Sequence, residues 1–257
     1  MIESRPCKTA LSRSTLPGLA YSFNPYWGCG HGCLYCYVPD VMRNVMPSLR
    51  WGRDVFVKEN VLEILRREVR RKPKGVVGVS TATDPYQPAE KGLEVTRRAL
   101  TILIEAGFPV SIQTKSPLVV RDIDLIRGKK IDVGFTITST DKEFQRKFEP
   151  GAPLPEERIS ALETVSSLGI ITWIFYGPII PGYNDAPDEM ERIVRLGAKT
   201  KSKIIYDSLN IKPTVIQRLK TIMGEDEFNR RHSLREQFAR LEALCRQHGV
   251  RCEFAFP

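Results

Sequence analysis

No apolar run in this 257-residue chain approaches the roughly 20 residues that a membrane-spanning helix needs, so no membrane partner is expected. Its first residues, MIESRPCKTALSRS, have no apolar core of the kind a signal peptide carries, which points to a cytoplasmic location. Internal repeats and low-complexity tracts are also missing, and with them solenoids and disordered linkers. A second pair of closely spaced cysteines is absent too, and most structural zinc sites are built from two such pairs. What remains is a globular composition, 42% hydrophobic and 27% charged, at a length that one α/β barrel can fill.

The formal charge is +9, and its placement matters more than its size. Residues 1–75 hold thirteen Lys/Arg against six Asp/Glu, so they carry +7 of it. A surplus of this kind suits an anionic partner, nucleic acid first. The densest basic run, Arg66, Arg67, Arg70, Arg71, Lys72 and Lys74, ends a helical pattern and leads into a strand. Cations suit a helix C-terminus, so this run is expected to be structural and to lie away from the chemistry. Closer to the expected active face stand Arg43, Arg50, Arg53 and Lys58.

β-rich runs alternate with helical patterns. Strands are predicted at 20–26, 75–80, 109–114, 131–138, 170–176 and 203–209, and helices at 59–71, 90–107, 118–126, 155–169 and 187–199. Gly107 and Gly169 stop two of the helices. Such alternation implies parallel strands joined by right-handed crossovers. Six units predict an α/β fold, a partial TIM-type barrel, with a doubly wound sheet as the alternative that the pattern leaves open. The expected division is an N-terminal arm (1–19), a core (20–210) and a C-terminal extension (211–257) with a helix at 225–248 and a last short strand, RCEFAF. In either fold the loops that follow the strands share the face where chemistry is expected; these are 27–50, 80–90, 115–117, 139–154 and 177–186.

The first of these loops contains NPYWGCGHGCLYCY, in which Cys29, Cys33 and Cys36 are spaced C-x3-C-x2-C. Three thiolates in one short loop can ligate three irons of a 4Fe–4S cubane, and Gly28, Gly30 and Gly32 allow a tight wrap. A zinc site with His31 as fourth ligand is the competing reading. Cys7, Cys245 and Cys252 lie apart, the last two read as small hydrophobes in the core.

The chain resembles the radical S-adenosylmethionine (SAM) superfamily, and within it the branch around spore photoproduct lyase. Four segments carry the likeness: NPYWGCGHGCLYCY at 24–37, TDPYQPAE at 83–90, TKS at 114–116 and FEPG at 148–151. The resemblance implies a 4Fe–4S cluster on the three cysteines, with SAM chelating the free iron. Electrons would come from an external donor of flavodoxin or ferredoxin type, and SAM would be cleaved reductively to a 5′-deoxyadenosyl radical that takes hydrogen from a substrate. It also implies that Ser80, Thr83 and Asp84 hold the SAM ammonium, with capping of the next helix as the other reading of Asp84. By the same likeness Lys115 binds the SAM carboxylate, Thr136 lies near the ribose, and Ile180, with Ile179, packs against adenine. Glu149 and Arg158 bracket the start of a helix, where an arginine opposes the macrodipole and therefore needs a partner, Glu149 or a substrate anion. Tyr35 and Tyr37, beside Cys36, are candidate radical relays. Glu90 is read as a first-turn helix residue. One departure stands out: Thr81 occupies the place of the lyases' hydrogen-donating cysteine, so thymine-dimer reversal by that route is not expected. Nucleic acid is the first substrate class, with a protein side chain or a metabolite as the alternative.

Overall fold

Short runs rich in Val, Ile, Phe and Tyr become strands, and the amphipathic stretches between them become helices that cover one side of the sheet. The computed structural model describes residues 2–42, 50–224 and 234–255. Its strands are β1 (Ile2–Arg5), β2 (Leu11–Arg13), β3 (Tyr21–Phe23), β4 (Tyr26–Trp27), β5 (Val55–Lys58), β6 (Val77–Val79), β7 (Val110–Thr114), β8 (Ile131–Thr136), β9 (Ile171–Ile179), β10 (Lys203–Ser208) and β11 (Cys252–Phe254). Its α-helices are α1 (Val38–Met42), α2 (Val61–Glu68), α3 (Glu90–Leu93), α4 (Val95–Glu105), α5 (Ile123–Ile126), α6 (Lys142–Phe148), α7 (Pro155–Ser167), α8 (Pro187–Thr200), α9 (Pro213–Met223) and α10 (Arg235–Gln247).

Eight strands form the main sheet in the order β11-β10-β9-β8-β7-β6-β3-β2. All its neighbours are parallel except β2, which runs antiparallel to β3 at one edge. From β3 to β11 the order follows the chain without reversal, so there is no switch point of the kind a doubly wound sheet has. The outer strands β2 and β11 do not pair with each other. The architecture is therefore a partial TIM-type barrel whose six β/α units start at β3, β6, β7, β8, β9 and β10.

Alternation along the strands divides the interior. Val77, Val79, Val110, Ile112, Val133 and Ile174 pack with Leu100, Leu103, Leu162, Val165, Ile193 and Val194 of the helices in one buried core. The residues between them face the other way. There Ser111 and the Trp173 indole both donate to Asp132 Oδ1 at 2.7 Å. Gly134 is required beneath that indole, because a Cβ would come within 2.2 Å of it.

Several boundaries differ from the sequence reading, each for a local reason. The helix expected over 90–107 is broken at Glu94, which adopts φ 51°. The buried Glu90 carboxylate accepts the N–H groups of Thr96 and Arg97 and so starts α4 afresh. The segment expected as a helix over 118–126 is a 3₁₀ turn, Pro117–Asp122, followed by one turn of α5. Ser116 caps it by accepting the Leu118 N–H at 3.2 Å. Strand β9 runs on to Ile179 through Gly177 and Pro178. Sequence reading gave no sign of β5, which joins β1 and β4 in a separate three-stranded sheet, or of α9. The expected helix over 225–248 is α10 from Arg235 on, and residues 225–233 lie outside the described residues.

The basic run after α2 has structural work. Lys72 donates to the Leu11 carbonyl at 2.9 Å, and Lys74 donates to the Ala106 carbonyl at the end of α4. Both are interactions of cations with backbone oxygen.

A candidate cofactor site at the strand ends

The cysteine loop follows β4, and the motifs that stood apart in sequence hold it from three sides. The TDPYQPAE segment forms the first. Gln87, fully buried, accepts the Gly30 N–H at 2.8 Å and donates to the Gly28 carbonyl at 3.3 Å. Thr83 also donates to the Gly28 carbonyl, at 2.5 Å. Asn24 binds the preceding turn through its amide oxygen, which accepts the N–H groups of Thr81 at 3.0 Å and Ala82 at 2.8 Å. The FEPG segment forms the second side: Gly151 N–H donates to the His31 carbonyl at 3.0 Å, and Leu34 N–H donates to the Phe148 carbonyl at 2.9 Å. No side chain fits at Gly151, where a Cβ would lie 2.3 Å from the Gly30 carbonyl oxygen. The third side is Gly52 and Trp51. Gly32 (φ 60°) and Gly52 (φ 81°) approach so closely that a Cβ on either would come within about 3 Å of the other's Cα. The Trp51 indole donates to the Cys33 carbonyl at 3.1 Å.

Held this way, Cys29 and Cys33 are buried and Cys36 is partly buried. Burial pushes the Cys33 thiol up, against the pull of Lys115, and burial likewise carries Cys36 up to about 11. A metal ligand must be a thiolate, so loading this site releases protons. Among the described residues no three His, Cys, Asp or Glu side chains converge as a single metal ion would require. A cubane joins its thiolates at separate corners, and three soft sulfurs in one loop suit it. His31, the fourth ligand of the zinc alternative, directs Nδ1 to Asp84 Oδ2 at 3.4 Å. Burial alone would push the His31 imidazole down, but Asp84 and Cys29 beside it carry it up to about 10.

Asp84 ties several parts together. Its Oδ1 accepts from the Tyr86 N–H at 2.9 Å and the Thr114 hydroxyl at 2.7 Å, and its Oδ2 accepts from the Lys115 N–H at 2.7 Å. Burial would raise its carboxyl, yet His31 and these donors hold it at about 2. Through these contacts Asp84 ties the cysteine loop's His31 to the end of β7. The Tyr86 N–H contact matches the capping role that the sequence left open for Asp84 beside a place near the SAM ammonium. Glu90 goes further than a first-turn residue: fully buried, it accepts from Tyr26 and from Arg121 at 3.1 Å.

Next to the loop lies a buried charge network. Arg158 and Glu149, each about 1% exposed, form an ion pair. Glu149 also accepts from the Tyr35 hydroxyl and from the Thr138 hydroxyl at 2.8 Å, and Lys115 Nζ stands 3.9 Å from it. Burial opposes ionisation of Glu149, but Arg158 and Lys115 hold its carboxyl at about 2. The cation at the start of α7 thus has Glu149 as its partner. Tyr35 is buried within this network and bonded to Glu149. Tyr37 is half-buried beside Cys36, with its hydroxyl pushed up by burial.

Of the remaining residues expected to touch SAM, Ser80 is the most telling. It is buried at the end of β6, and its hydroxyl has no hydrogen-bond partner. A buried hydroxyl without a partner costs about 1–3 kcal/mol, which a polar ligand at the strand end would offset. Thr83 donates to Gly28 and accepts from Gln87 at 2.9 Å, which leaves it little capacity beyond the loop. Thr136 accepts from Gln113 at 3.1 Å on the open side of β7 and β8. Ile180 is buried with Cys33, Tyr35 and Phe148, and its N–H donates to Asn184 at 2.6 Å. Sequence reading missed Asn24, Gln87, Gln113 and Asn184. The first two lie inside NPYWGCGHGCLYCY and TDPYQPAE, where a side-chain amide between tight turns is a signal for loop bracing. Gln113 and Asn184 gave no comparable cue.

Parallel strands in an open barrel, with a three-thiol loop at their C-terminal ends and a buried cation network beside it, define an enzyme built around a cofactor. The chain belongs to the radical SAM superfamily, whose family model matches residues 23–197. Members of that superfamily use a 4Fe–4S cluster and SAM and need an external reductant. An uncharacterised protein of Methanocaldococcus jannaschii is 36% identical over 206 residues, covering 80% of this chain and 76% of that protein. A radical SAM Nα-GlyT isomerase of Pseudomonas phage M6 is 25% identical over 210 residues, 79% of this chain and 43% of that protein. Among solved structures, a spore photoproduct lyase mutant with bound SAM and a dinucleoside spore photoproduct superimposes with a TM-score of 0.67. It is 15% identical over 99% of this chain and 81% of that chain, a likeness of fold. None of the described helices is long and apolar enough to cross a membrane.

Proposed function

We propose that Cys29, Cys33 and Cys36 hold the 4Fe–4S cluster and that Ser80, Lys115, Thr136 and Ile180 receive SAM. The observation that carries this reading is the orphaned Ser80 hydroxyl, on the same sheet edge as Lys115 and beside the braced cysteine loop. Bound together, the two groups supply reductive cleavage of SAM to a 5′-deoxyadenosyl radical that takes hydrogen from a substrate. The protein's own residues do the rest. Gln87, Asn24 and Gly151 fix the loop, Glu149 and Arg158 hold Lys115 and Tyr35 in place, and Asp84 ties His31 to the end of β7. The core at 20–210 carries this chemistry, the arm and extension flank it, and a cytoplasmic flavodoxin or ferredoxin supplies the electron.

For the substrate, nucleic acid remains the first choice. It is supported by the +9 charge and by the lyase solved with a dinucleoside photoproduct. A protein or metabolite is the second reading, and specific contacts favour it. Arg50 makes a bidentate pair with Asp54 at 3.0 Å, and Lys58 lies 4.8 Å over the Trp27 ring, so two of the cations expected to face a phosphate are engaged. Arg43 lies outside the described residues. Thr81, in the place of the lyases' thiol, has its hydroxyl bonded to Asn24 at 3.2 Å, and an O–H bond is too strong to give up hydrogen as a thiol does. Spore photoproduct repair by this chain is therefore expected to be negligible. Fluorescence anisotropy with labelled oligonucleotides tests the substrate class. Affinity falling steeply between 50 and 200 mM salt is expected for phosphate contacts. Absence of binding at low salt would transfer the reading to a protein or metabolite.

A further inference from the structure

Helix α9 lies beyond the residues that the family model matches, yet it reaches the cysteine loop. Its Arg218 donates through Nη1 to the Cys33 carbonyl at 3.3 Å and through Nη2 to the Cys36 carbonyl. The same guanidinium is aimed by its own helix: Nε donates to the Thr214 carbonyl at 3.0 Å and Nη2 to the Thr214 hydroxyl at 3.1 Å. Thr214 is in turn tied to Asp40, three residues past the cysteine motif's last tyrosine, Tyr37, through its N–H at 3.2 Å and its hydroxyl. Beneath this contact Val215 and Leu219 are fully buried against Cys33, Tyr35 and Phe148. The fork therefore grips two of the three cysteine peptides from outside the core, on a helix that cannot swing away without exposing its apolar face.

We propose that Arg218 is a positioning residue of the cluster, one that fixes the Cys33–Cys36 turn and sets the cluster's reduction potential. The proposal rests on the reading of Cys29, Cys33 and Cys36 as ligands, and is independent of the substrate. Two physical effects follow from the geometry. Arginine keeps its charge under burial and holds two acceptors in one plane, which a lysine cannot do. A fixed positive charge beside a cluster favours the form with the extra electron, and cluster potentials respond to local charge.

The test uses the full chain, reconstituted anaerobically, without substrate. Midpoint potential is measured by spectroelectrochemical titration, and iron release by bathophenanthroline disulfonate. Arg218→Met removes the charge and keeps a stem of similar length. It is expected to shift the one-electron equilibrium about tenfold toward the oxidised cluster, about 59 mV more negative, and to release iron about tenfold faster. Arg218→Lys keeps the charge and loses the fork, so its potential should stay near that of the wild type while its iron release quickens. A wild-type potential in Arg218→Met, whatever its iron release, would overturn the proposal. Should that variant not fold, wild-type iron release in Arg218→Lys would overturn it instead. Failure of the wild-type chain to take up a cluster is a different result, which removes the ligand reading itself.

Discussion

Glu149→Gln isolates the charge that the buried network depends on. The native carboxylate is about 1% exposed and takes hydrogen bonds from Tyr35, Thr138 and Arg158, with Lys115 3.9 Å away. Its carboxyl sits at about 2 against an ordinary 4.5, because Arg158 and Lys115 outweigh the burial that would raise it. A shift of that size corresponds to about 3 kcal/mol of folding stability. Because the folded value is depressed, this stability is fully present above pH 4.5 and is lost as pH falls toward 2. Glutamine keeps the volume but leaves the Arg158 guanidinium buried beside a neutral group, a change that costs about 3–5 kcal/mol in comparable buried pairs. The two routes agree on the scale. Guanidinium unfolding of the apo protein should show a loss of about 3 kcal/mol at pH 7, and the gap between variant and wild type should close as pH falls from 4.5 to 2. A loss under about 1 kcal/mol, or a gap that does not change with pH, would refute the network's role.

Two further substitutions probe the loop and the SAM site. Gly151→Ala places a Cβ 2.3 Å from the Gly30 carbonyl oxygen and 3.0 Å from that of His31, so it should cost about 1–3 kcal/mol in unfolding experiments and lower iron content after reconstitution. Unchanged iron content would show that the FEPG wall does not shape the loop. Lys115→Ala should weaken SAM binding by about 1.5–3 kcal/mol in equilibrium dialysis, the range for a hydrogen bond to a charged group. Wild-type affinity would take Lys115 out of the SAM site.

Sequence patterns carried the barrel well because its strands are short apolar-rich runs and the longer helices between them, α2, α4 and α8, are amphipathic. They failed where two elements share one continuous pattern. Residues 90–107 keep a helical period throughout, and the break at Glu94 comes from a local capping contact that the period does not register, the Glu90 carboxylate accepting the N–H groups of Thr96 and Arg97. Strand β5 was hidden because its four residues, Val55–Lys58, pair only with the distant β1 and β4. At the site, the spacing of the cysteines was legible and so was the TDPYQPAE segment. What the latter does was not: that Gln87 and Thr83 grip Gly28 and Gly30 depends on two chain segments more than fifty residues apart meeting at one edge. The charges were the hardest to read. Arg50 and Lys58 count toward a basic face in sequence, whereas in the fold Asp54 and Trp27 occupy them. Arg218 lies well past the last motif and had no sequence signal at all.

Metal analysis decides whether the three thiolates of this loop hold an iron–sulfur cubane, as proposed. Protein reconstituted under strict anaerobiosis should bind about four irons per chain with a matching amount of sulfide. Cys29→Ala, Cys33→Ala and Cys36→Ala should each abolish the visible iron–sulfur absorption, while Cys7→Ala and Cys252→Ala should leave it intact. Zinc filling the site under those conditions, or a full iron complement in any of the three loop variants, would contradict that proposal.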